Sequence, residues 1–105
     1  MTWIGAVARE KLSKAEIVDN IYPLVRVSKK SIHRVIDLFF EQIKSGLLGD
    51  RVIELRGLGT FEIRTRKGRR ARNPKTGDAV VIRDHGVAHF RPGRELKQKV
   101  WELRS

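Results

Sequence analysis

The chain has no cysteine, which excludes disulfides and thiolate metal sites and suits a reducing compartment. Aromatic residues are few: two Trp, one Tyr and four Phe in 105 residues. The four phenylalanines, Phe39, Phe40, Phe61 and Phe90, fall at apolar-periodic positions, which argues against single-strand recognition on stacked aromatic platforms. No apolar run is long enough to cross a bilayer. No helix combines a basic face with the strong apolar face that membrane-surface binding uses, so no membrane partner is expected. The opening "MTWIGAVAREKL" lacks the basic start and long apolar stretch of a secretory signal, so a cytoplasmic location is expected. Acidic residues are scarce as well. Twelve Asp and Glu against 23 Lys and Arg leave a formal charge of +11 and a pI near 10.9, a balance that points to a polyanionic partner.

Catalytic groupings are missing too. No nucleophile–base–orienter set is visible, and Asp37, Glu41, Asp50 and Glu54 fall on helix or strand faces with no shared cleft. Gly57 and Gly59 sit between strands, where turn geometry explains them. His85 and His89 have only Asp84 as a near third ligand, too few for a structural metal site. The expectation is a protein without enzyme activity, metal or cofactor.

What is present begins with residues 1–12, which show no period and read as an N-terminal extension; Trp3 and Ile4 could pack on the body, and Arg9 and Lys11 could add contacts. "SKAE" at 13–16 fits a capping box, so a helix is expected from about Lys14 to Tyr22, limited by Pro23. Ser28 opens the longest periodic segment, about 29–48. Its apolar residues, from Ile32 through Val35, Ile36, Leu38, Phe39, Phe40 and Ile43 to Leu47, spread over roughly 200° of the helix. A monomer's surface helix needs a stripe of about 100°. The surplus predicts burial on two sides, one against a second subunit.

After Gly49-Asp50 the period drops to two. "RVIEL", a break at 57–59 and "TFEIRTR" predict a hairpin, with Phe61 and Ile63 on one face and Glu62, Arg64 and Arg66 on the other. "DAVVIRDHGVAHF" restores strand character, with a bulge or bend expected at 84–86. "RPGRELKQKVWELRS" predicts a short amphipathic helix with Pro92 in its first turn. The order is α-α-β-β-arm-β-α, an α+β fold.

Between the strands lies "RTRKGRRARNPK", 64–75, with seven cations and no acid. The charge run alone fits a solvated basic tail as well as a built ribbon. The turn favours the ribbon: Asn73-Pro74 fixes φ and puts an apolar ring at the apex, and Thr76-Gly77 completes the reversal. A rigid ring flanked by cations is suited to enter between base pairs from the minor groove. The surviving alternative is an RNA-binding or ribosome-associated protein that uses the same segment as a tail.

"GLGTFE" at 57–62, "RNPKTG" at 72–77 and "FRPG" at 90–93 stand in order and at matching spacing in a stretch that resembles the HU/IHF family of bacterial histone-like proteins, from about Ser13 to Trp101. Leu58 replaces the Phe of many members, and the ending looks most like spirochaetal ones. The resemblance implies a DNA-binding domain over 13–105, an intertwined homodimer or heterodimer with a helical body, and two long β-ribbon arms of about residues 64–83 that embrace double-stranded DNA in the nucleoid. Pro74 maps onto the intercalating proline at the arm tip, beside Asn73. Arg64, Arg66, Lys67, Arg69, Arg70, Arg72 and Lys75 map onto the arm's cations, and Arg83 onto the return strand. Lys14, Arg56 and Arg94 map onto residues that face the flanks of bent DNA.

Overall fold

The computed structural model describes residues 9–104, so the packing expected of Trp3 and Ile4 lies outside the described residues. The chain divides into two compact units between Glu41 and Gln42.

In the first unit, helix α1 spans Lys14–Ile21. Its start is set by Ser13, whose hydroxyl accepts from the Glu16 amide at 3.2 Å, satisfying one of the amides a helix start leaves orphaned. Pro23 turns the next three residues, Tyr22–Leu24, into a single 3₁₀ turn. Helix α2, Lys29–Leu48, begins where the Ser28 hydroxyl accepts from the Ser31 amide at 3.1 Å. Lys29 sits 5.2 Å from the centre of the Tyr22 ring and 3.1 Å from Asp19, fastening α2's first turn to the end of α1. Val18 and Ile32 are the only buried hydrophobic side chains among the described residues. Of the rest of the wide apolar band, Ile36, Ile43 and Leu47 are half-buried and the other four residues are open. Val35 is 65% exposed, and Leu38, Phe39 and Phe40 are each at least 40% exposed.

Helix α2 ends in the second unit with a left-handed Asp50 (φ 56°). The Arg51 amide donates to the Gly46 carbonyl and the Asp50 amide to Leu47, the bond pair of a Schellman cap. Strands β1 (Ile53–Leu55), β2 (Gly59–Arg66) and β5 (His85–Pro92) form an antiparallel sheet in the order β1-β2-β5. Strands β3 (Arg69–Arg72) and β4 (Ala79–Ile82) form a separate two-stranded ribbon. Helix α3 spans Arg94–Leu103.

Three boundaries differ from those expected of the sequence. Pro92 does not begin the last helix: it ends β5, opposite Gly59, and Gly93 takes the N-cap position. The first strand is shorter than "RVIEL", because Arg51 is used in capping α2. The bend lies at Arg83-Asp84, while His85 and Gly86 already belong to β5.

Candidate nucleic-acid interface

The register of β2 against β5 sorts the side chains. Phe61 faces Phe90, Ile63 faces Ala88 and Thr65 faces Gly86. Directly opposed residues share a face, as do alternate residues along a strand, so these pairs make one apolar side, where the two phenyl rings lie 4.8 Å apart. The other side carries Glu62 opposite His89, Arg64 opposite Val87 and Arg66 opposite His85. Arg64 Nε donates to Glu62 at 3.2 Å. The cations from Arg66 to Lys75 have no ion pair among the described residues.

The ribbon continues past a joint. Residues 67–68 and 83–84 leave strand geometry, and there the Gly68 amide donates to the Asp84 carboxylate at 2.6 Å. A side chain at 68 would overlap the Ile82 carbonyl and the backbone of Arg83 and Asp84. Beyond the joint, Arg69 pairs with Ile82, Arg70 with Val81, Ala71 with Val80 and Arg72 with Ala79. Arg70, Arg72 and Val81 therefore share one face, and Arg69, Ala71, Val80 and Ile82 the other.

At the tip, the turn is closed by several bonds. The Asn73 amide donates to the Asp78 carbonyl at 2.9 Å, and the Gly77 amide donates to the Asn73 carbonyl at 2.7 Å. Asn73 Oδ1 accepts from the Lys75 amide at 2.9 Å, an Asx turn. Arg72 reaches across to the Gly77 carbonyl at 3.0 Å. Gly77 holds φ 73°, a conformation glycine adopts without a side-chain penalty. Pro74 is thus mounted in a hydrogen-bonded loop.

Of the residues named from the sequence, Arg64, Arg66, Lys67, Arg69, Arg70, Arg72, Asn73, Pro74, Lys75 and Arg83 lie along this one ribbon and its joint. Arg56 precedes the Gly57-Leu58-Gly59 turn, and Arg94 opens α3; the Gly93 amide donates to the Leu58 carbonyl at 2.9 Å, tying the backbone of the two places together. Lys14 belongs to the other unit and is already engaged. Its ammonium lies 2.7 Å from Asp37, and that hydrogen bond, with the positive charges of Lys14, His33 and Arg34 nearby, holds the Asp37 carboxyl below the usual carboxylate range.

The sequence alone did not reveal that Gly68 and Asp84 meet. "DHG" gave a bend signal but no sign of this bond, because the partner of Asp84 is sixteen residues away. Among the described residues no cluster of three or more His, Cys, Asp or Glu could hold a metal ion. No helix of the described residues is long and apolar enough to cross a membrane.

Comparison with known proteins places these features in a family. Residues 12–101 match the family model described as bacterial DNA-binding protein. Integration host factor subunit alpha of Pseudomonas aeruginosa is 38% identical over 89 residues, 85% of this chain and 89% of the relative. The same subunit of Vibrio campbellii is 36% identical over 94 residues, 90% and 96% of the two chains. Among solved structures, an Anabaena HU–DNA cocrystal superposes with TM-score 0.79 at 34% identity, over 84% of this chain and 96% of that one. A point mutant of HU from Thermotoga maritima gives 0.61 at 26% identity, over 84% and 97%. The chain belongs to the bacterial DNA-binding protein family, that of HU and integration host factor.

Proposed function

We propose that this protein bends duplex DNA through the minor groove, with Pro74 as the wedge and the ribbon's cations on the phosphates. Membership of the family makes it an architectural DNA-binding protein and not an enzyme. The observation that carries the finer reading is the tip: an apolar ring held by the Asn73–Asp78 turn at the end of a ribbon whose cations from Arg66 to Lys75 have no carboxylate partners among the described residues. Six like charges without a countercharge cost stability until phosphates supply it, and each neutralised phosphate releases counterions. Wedges of this kind kink DNA by roughly 20–90°, a range set by the architectural class that includes HU and integration host factor themselves. Arg56, Arg94 and Lys14 would hold the flanks of the bent duplex, Lys14 by exchanging Asp37 for a phosphate. The reading as an RNA-binding tail is not favoured, because residues 64–83 are paired strand and turn rather than tail.

The working form is a dimer of this chain or of two related chains, acting in the nucleoid. The exposed Val35, Leu38, Phe39 and Phe40 on α2 support it, as do Val100, Trp101 (72% exposed) and Leu103 on α3. Apolar surface on this scale marks an interface in a soluble protein.

The test is energy transfer between dyes on the two ends of a duplex of about 35 bp, longer than the elastic bend sites of 20–30 bp, with wild type and Pro74→Ala. Wild type should bring the ends together and the variant should do so less. Binding without approach of the ends would refute bending; equal approach by both proteins would remove the wedge.

A further inference from the structure

His85 opens β5 directly across the ladder from Arg66. Beside them is a concavity of about 560 Å³ walled by Arg66, Lys67, Arg69, Ile82 and His85. Three cations and an imidazole line it with no carboxylate among them, which suits a phosphate oxygen.

The ring is held in one orientation. His85 Nδ1 lies 2.8 Å from the Arg83 carbonyl oxygen. A carbonyl oxygen only accepts, so Nδ1 carries the proton of this bond. In the neutral ring Nε2 is then a bare lone pair, and a phosphate oxygen brought to it meets another acceptor. Once a proton from solvent bonds to Nε2, the ring donates from both nitrogens and carries a positive charge. The other charged groups of the site are Arg66 across the ladder and Lys67 and Arg69 in the same wall; Arg83 and Asp84 are the adjacent charged residues in the chain. Asp84 is occupied by the Gly68 amide, and Glu62, farther along the same face, is paired with Arg64.

We propose that His85 is a proton-gated phosphate contact at the base of the arm: it holds a backbone phosphate of duplex DNA only as imidazolium, so binding takes up a proton there and tightens as pH falls. This rests on the reading that the ribbon lies on duplex DNA. It adds to that reading a contact whose charge the medium controls, beside arginines and lysines whose charge it does not.

The experiment measures affinity for the same duplex at fixed ionic strength across about pH 5–8, the span in which histidine changes charge. The wild type is compared with His85→Ala, His85→Gln, His89→Gln and His33→Gln. One linked proton limits the effect to about tenfold per pH unit. Wild-type affinity should rise toward that limit on acidification, and His85→Ala should lose most of the rise. His85→Gln, a neutral donor of similar reach, should bind with little pH dependence, and His33→Gln should keep the wild-type slope. Calorimetry of the wild type in buffers of different ionisation enthalpy should show proton uptake on binding, a readout that needs no variant to fold. A flat wild-type profile, or a slope that survives His85→Ala and disappears with His89→Gln, would overturn the assignment. Failure to bind duplex at any pH would overturn the functional reading beneath it as well.

Discussion

The Gly68 amide and the Asp84 carboxylate meet at 2.6 Å where the β2–β5 ladder gives way to the β3–β4 ribbon. The bond closes the one interruption in the arm, and the approach is too tight for any Cβ at 68. Gly68→Ala must displace the opposite backbone, a local strain on the order of 1–3 kcal/mol. Amides 69–72 should then lose hydrogen-exchange protection while those of β2 keep theirs. Asp84→Asn, which keeps an acceptor, should leave 69–72 protected; Asp84→Ala should not. Equal protection in all three variants would show that the joint does not depend on this bond.

Arg69 and Arg70 point to opposite faces of the ribbon, and neither has a carboxylate partner among the described residues. Replacing both with Gln leaves the Arg72–Gly77 closure in place. The slope of log affinity against log salt for duplex DNA should become shallower by roughly 0.9 for each phosphate no longer neutralised. An unchanged slope would take both residues off the phosphates.

Asn73 supports the tip through its side chain, accepting from the Lys75 amide. Asn73→Ala removes that acceptor at a net cost of about 0.5–1.5 kcal/mol, typical of one hydrogen bond. The tip should loosen without unfolding the sheet, and end-to-end energy transfer on bound duplex should fall in the direction expected for Pro74→Ala. Bending equal to wild type would mean that the turn needs no preorganisation.

Asp37 titrates below its ordinary value of 3.8 because Lys14 donates to its ionised form. A carboxyl depressed on folding contributes stability above its unfolded value, and this is lost as pH falls through the folded value. The window therefore lies below pH 3.8, and both side chains are too exposed for the pair to weigh heavily. Lys14→Gln should raise the Asp37 midpoint toward its ordinary value, read from its carboxyl carbon by NMR. A midpoint that stays put would assign the depression to the other nearby charges, those of His33 and Arg34.

The helix starts at Ser13 and Ser28, the strand faces of Phe61 and Ile63, and the tip turn were legible in the sequence because each is encoded within a few residues. Pro92 was misplaced because proline suits the first turn of a helix and the edge of a strand alike, and only its pairing with Gly59 decides between them. The joint was illegible for a related reason. Asp84 and Gly68 are brought together by register, and so are His85 and Arg66, and neither distance exists until the ladder forms. Spacing could name the candidate DNA-binding cations but not which of them already hold partners, as Lys14 at the start of α1 holds Asp37 and Arg72 on the arm holds Gly77.

A chain that leaves Val35, Leu38, Phe39 and Phe40 open would tie its lifetime to its abundance where a second copy covers them. With a second copy as the proposed cover, each halving of concentration moves molecules from the covered to the uncovered form, and the melting temperature should rise as protein is added. A melting temperature independent of concentration would show that one chain suffices. Proteolysis in the cell would remove unpartnered copies first. The supply of this protein would then be trimmed at low dose and protected at high dose, a threshold set by mass action with no dedicated regulator.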